Sequence, residues 1–170
     1  MRVVNIEFTR STKTLPLFGW AIQAIQRTKY SHVRLAWFGA GGQIPVIYEA
    51  SGSNLKFIGP IAARYHNQPK IIKSYPFKLN PEQYRALVKL CMENAGVDYG
   101  KKQVIGIGLA YALRLKKNPF ADGRRSQVCS EIVGSFLEKI LGWDTGLDLD
   151  IAGPREIQET IEKHGVLTNV

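Results

Sequence analysis

The chain has 170 residues, 45% hydrophobic and 22% charged, enough for a real core without covalent staples. Its net charge of +9 favours anionic surroundings (nucleic acid, teichoic acid or lipid head groups) without naming one. Two cysteines, Cys91 and Cys129, are too few for a disulfide scaffold or a zinc cluster.

The opening MRVVNIEFTRST carries charge and lacks a continuous apolar segment, so no signal peptide is expected and the chain reads as cytoplasmic when synthesised. Val3 to Phe8 predicts a strand, and Leu15 to Arg27 a helix with Phe18, Ile22 and Ile25 on one side. His32 to Phe38 and Ile44 to Ala50 predict two strands joined by a turn over GAGGQ, Gly39 to Gln43, hence a hairpin. Gly52 to Pro69 reads as a pocket-lining loop, and Lys70 to Leu79 as a further strand.

Asn80-Pro81-Glu82 is a helix start, and Tyr84, Leu87, Val88, Cys91 and Ala95 continue its apolar stripe. Cys91 in mid-stripe reads as a core residue. Val97 to Gly100 predicts a turn. The run VIGIGLAYAL, Val104 to Leu113, is about half of the roughly 20 residues a membrane span needs and predicts a buried helix. RLKKNPFADGRR, Arg114 to Arg125, is a basic loop, followed by a helix opened by Ser126 and a final helix from Arg155 to His164. The mixture is too irregular for a doubly wound sheet, so one α+β domain over residues 1–170 is expected, a small antiparallel sheet packed against helices. No cofactor motif or metal-ligand cluster is visible.

One constellation suggests chemistry. A hairpin turn centred near position 40 or 41 sets His32 opposite Glu49 or Ala50, and in the first case an imidazole and a carboxylate share a face. An acid so placed fixes a histidine's tautomer and favours its charged form. With Ser126 as N-cap, Cys129 falls in the first turn of a helix, where free N–H groups, the dipole and nearby Arg124 and Arg125 lower a thiol pKa. Glu131 opposes this slightly and can cap the helix. Cys129 as nucleophile, His32 as base and Glu49 as orienting acid form a set for acyl transfer through a thioester, with the Cys129 N–H as oxyanion donor. His66, in a polar loop, and His164, at a helix end, lack such a context.

The order YSHVRLAW, IYEAS, VCSEIVGSFL resembles the circularly permuted branch of the NlpC-type papain-like superfamily, which includes YiiX-like proteins and, more remotely, lecithin retinol acyltransferase relatives. His32, Glu49 and Cys129 follow the order of that branch over roughly Val3 to Leu141. The resemblance implies a papain-like fold and cleavage of cell-wall peptide amides, with lipid or lysine-linked amides as competing substrates. Cell-wall delivery would then fall to another factor. The alternatives are a basic module that binds nucleic acid or another polyanion through RLKKNPFADGRR, Lys101 and Lys102, and a degenerate scaffold of the same fold.

Overall fold

The computed structural model describes residues 1–10, 16–38, 45–51, 54–58, 69–122 and 125–166. Its strands are β1 (Arg2–Arg10), β2 (His32–Phe38), β3 (Pro45–Ser51), β4 (Asn54–Ile58), β5 (Lys70–Leu79), β6 (Asp98–Tyr99) and β7 (Ser126–Gln127). Its helices are α1 (Pro16–Gln26), α2 (Pro81–Asn94), α3 (Lys101–Leu113), α4 (Cys129–Lys139) and α5 (Pro154–Lys163). The strands form one sheet in the order β5-β1-β2-β3-β4-β6-β7, antiparallel except for the short parallel pair β6–β7. The α+β architecture is therefore the one expected, with a larger sheet than the sequence suggested.

β2 explains how this sheet carries a site. Val33, Arg34, Leu35, Ala36 and Trp37 are all buried, so both faces of the strand are covered. One face presents Val33, Leu35 and Trp37, level with Phe8, Ile6 and Val4 of β1. These join the main core with Val133, Phe136 and Leu137 of α4. By the two-residue period of a strand, the other face carries His32 and Arg34, with Arg34 level with Glu7 of β1.

The hairpin register differs from the expectation. Leu35 pairs with Tyr48 and Phe38 with Pro45, which continued along the ladder sets Glu49 level with Arg34 and not with His32. Pairing starts at Pro45, so the connection is longer than GAGGQ, whose residues lie outside those described. Relative to the register that paired His32 with Glu49, the shift is two positions, and an even shift keeps a side chain on its face. Glu49 thus remains a diagonal neighbour of His32.

Two other expectations are corrected. The Gly52–Pro69 segment is not simply a loop, because Asn54–Ile58 pairs with β3 as a strand. The run Val104 to Leu113 is helical but only partly buried: Gln103, Gly106 and Ala110 face inward, while Ile105, Leu109 and Leu113 are 44%, 38% and 64% exposed. The helix is apolar on every side although the core can cover only one. No helix among the described residues is long and apolar enough to cross a membrane.

Candidate active site

α4 begins at Cys129, and Val128 is its N-cap. Ser126, expected to cap the helix, instead lies in β7, where pairing with β6 sets it level with Asp98. Extended backbone continues through Val128 and delays the helix, leaving Cys129 as its first residue. The cap is closed from the other side: the Val128 N–H donates to Glu131 Oε2 at 2.7 Å. As the first helical residue, Cys129 has no intrahelical acceptor for its own N–H.

The segment before Cys129 is held by Asp122, the single acid of the basic loop. Asp122 accepts from the Ser126 hydroxyl at 2.6 Å, from Gln103 Nε2 at 2.8 Å and from the Arg125 N–H at 3.1 Å. Burial raises the Asp122 pKa, and these bonds more than reverse it, leaving the carboxyl below its ordinary range. The Arg125 side chain is exposed, and it is through its backbone N–H that Arg125 joins this network. Arg124 and His66 lie outside the described residues.

Cys129 is 6% exposed, and its sulfur hydrogen-bonds to the His32 ring and to the backbone of Val33 and Ser130. Burial alone would raise its pKa, but the facing imidazolium first and these hydrogen bonds next bring it below the ordinary thiol value. For His32 the signs reverse. Burial would lower its pKa, and the thiolate followed by Glu49 raise it. The pair therefore favours thiolate and imidazolium. Cys91, with burial and no cation, has its pKa pushed up to about 12. It sits fully buried in the core, as its place in the stripe implied.

His32 Nε2 lies 3.4 Å from Glu49 Oε2, an ion-pair contact. With Nε2 turned toward the carboxylate, Nδ1 is the ring nitrogen available to the thiol. Glu49 Oε2 also lies 3.9 Å from Arg34 Nη1, while Arg34 Nε donates to Glu7 Oε2 at 2.8 Å. Glu7, Arg34, Glu49, His32 and Cys129 thus form a line of alternating charge across β1, β2, β3 and the start of α4. Glu7 and Arg34 were not singled out from sequence. A cation inside the apolar strand VRLAWF, two residues after His32, was the available signal.

His164 stacks on Trp143 with centroids 4.0 Å apart and is remote from this line. Beside Cys129, a cleft of about 330 Å³ opens between α1 and α3, with Tyr99 in its wall. Burial first, then the Cys129 charge, push the Tyr99 pKa upward, so the phenol stays neutral.

Among solved structures the chain is similar to the metalloprotein YiiX from Escherichia coli O157:H7 (DUF1105). The TM-score is 0.54 at 18% identity, covering 95% of this chain and 79% of that chain. The fold is that of YiiX. A YiiX-like fold agrees with the papain-like architecture that the motif order implied. No family model and no curated protein matches the chain. Among the described residues, no group of three or more His, Cys, Asp or Glu is arranged to hold a metal ion.

Proposed function

We propose that the protein is a cysteine hydrolase that opens amide or ester bonds through a thioester on Cys129. The observation that carries this reading is a half-buried imidazole set between a thiol of lowered pKa and a carboxylate. A core cysteine needs neither partner, as Cys91 illustrates.

In the first step the Cys129 thiolate attacks the substrate carbonyl carbon, and the oxygen takes up the negative charge beside the Cys129 N–H. As the intermediate collapses, the C–N or C–O bond breaks and His32 gives its proton to the leaving amine or alkoxide. Water then adds to the thioester while His32 takes its proton. The C–S bond breaks, the acid departs, and the thiolate–imidazolium pair is restored. Glu49 keeps Nε2 oriented and favours the charged ring throughout. Arg34, anchored by Glu7, positions Glu49. Transfer of the acyl group to an acceptor other than water would use the same groups.

Cell-wall peptide amides are the substrates to which the sequence resemblance points, and compartment and delivery follow from that substrate. A basic module binding polyanions is the second reading, favoured by the +9 charge alone.

Incubation with p-nitrophenyl acetate tests the chemistry. A burst of p-nitrophenolate equal to the enzyme, with an acetyl mass increment on Cys129, is expected. It disappears in Cys129→Ala and slows by roughly 10²–10⁴-fold in His32→Ala. No Cys129-dependent release of p-nitrophenolate, or acetylation distributed over surface lysines, refutes the hydrolase.

A further inference from the structure

Resting on the thiol hydrolase reading, we infer that the cleft between α1 and α3 takes the aliphatic acyl chain of an anionic amphiphile, whose carbonyl it delivers to Cys129. The cleft, at about 330 Å³, lies at the small end of ligand-binding cavities. Ile22 and Ile25 of α1 and Val104, Ile107 and Gly108 of α3 line it, and Cys129 stands in its wall.

Two of its few polar side chains, Gln26 and Tyr111, are bonded to groups outside it. Gln26 donates to Glu156 Oε2 at 3.2 Å and accepts the Arg155 N–H at 3.2 Å, and the Tyr111 hydroxyl is bonded to Glu156 and Gln26. The amides, carboxylates and amines of a cell-wall peptide would lose water here and find few partners, which is unfavourable. A methylene chain has nothing to leave unpaired, and each buried CH₂ contributes roughly fourfold in affinity.

The surroundings of the cleft fit the same ligand. Ile25, Ile105 and Leu109 in its wall are 38%, 44% and 38% exposed, and Trp20 and Leu113 nearby on the same helices 68% and 64%. Exposed Lys101 and Lys102 stand at the start of α3, where the helix dipole disfavours cations, and exposed Arg114, Lys116 and Lys117 follow its end. Apolar side chains between two basic clusters complement a chain attached to an anionic head group. A Cβ on Gly108 would already reach ordinary contact with Ile25 Cδ1 at 3.4 Å, so a side chain longer than alanine there would fill the cleft.

Two readouts test this on the whole chain. The first is binding of a dansyl-labelled fatty acid to Cys129→Ala, alone and combined with Gly108→Leu or Ile25→Asp. The second is kcat/KM for p-nitrophenyl butyrate, octanoate and laurate in mixed micelles, with γ-glutamyl p-nitroanilide as the peptide-like competitor. The expected result is probe binding weakened at least tenfold by either added substitution, with laurate preferred to butyrate by at least about a hundredfold, the gain from burying three or four of its eight additional CH₂ groups. In Gly108→Leu the optimum moves to shorter chains. Ile25→Asp, at a partly exposed position, separates occlusion of the cleft from misfolding. Absence of probe binding with Cys129-dependent turnover indifferent to chain length, or preference for the γ-glutamyl compound, overturns the acyl-chain assignment and leaves the hydrolase standing. Probe binding without turnover of any ester overturns the hydrolase and leaves the chain site standing.

Discussion

At the residue scale, the site turns on how charges are kept out of water. A buried thiolate is stable only beside a cation, and a buried imidazolium only beside anions. Cys129, His32 and Glu49 meet those needs in sequence, and Arg34 and Glu7 extend the alternation into the sheet. Glu49→Gln tests the line. Glu49 helps raise the His32 pKa, so removing its charge makes imidazolium, and therefore thiolate, harder to form. The midpoint of Cys129 alkylation should move to higher pH, and kcat/KM on an ester should fall roughly 10²-fold or more. Three of these five residues were legible from sequence because histidine, acid and cysteine in that order suggest a chemistry. Arg34 and Glu7 were not, because a strand charge reads as solvated until the opposite face proves to be covered.

At the element scale, α3 shows where periodicity fails. A helix apolar on all sides reads as a core helix, yet its surroundings divide it into a packed side, a cleft side and an open side. Its two glycines have opposite roles. Asn118 reaches into the packed side, donating to Gln103 O at 3.1 Å and Asp150 O at 3.0 Å while accepting the Phe120 N–H at 2.9 Å. A Cβ on Gly106 would fall 1.8 Å from Asn118 Oδ1, whereas one on Gly108 would only reach ordinary contact with Ile25. Urea unfolding should therefore find Gly106→Ala destabilising by about 1–3 kcal/mol and Gly108→Ala stabilising by about 0.5–1 kcal/mol. Equal effects would contradict this division. The strands missed from sequence share a simpler cause: β6 and β7 have two residues each, and β4 alternates too briefly to stand out from its polar neighbours.

At the scale of the whole molecule, three strands separate β2 from β7 in the sheet, and it is the packing of α4 against β2 that brings Cys129 to the start of β2, remote in the chain; the Val33 backbone bond to Cys129 marks the meeting. No local pattern encodes that approach; the order of motifs made it legible by resemblance, and the register error was harmless because it was even. The +9 charge belongs to this scale too. Co-sedimentation should show binding to anionic phosphatidylglycerol vesicles, weakened by added salt and by Lys101→Gln/Lys102→Gln, and little binding to phosphatidylcholine vesicles. Equal binding to both, or to neither, contradicts the assignment of the basic clusters to an anionic amphiphile.

The central claim is the thiolate–imidazolium pair, and site-resolved alkylation by iodoacetamide across pH tests it most directly. Because the Cys129 pKa is lowered, its thiolate persists below the ordinary thiol range and is lost only as pH falls through that lowered value. Cys129 should label at least tenfold faster than Cys91 below pH 7, and His32→Ala should return its midpoint toward the ordinary value of about 8.5. Equal slow labelling of both thiols, or a wild-type Cys129 midpoint at that ordinary value, would contradict the account.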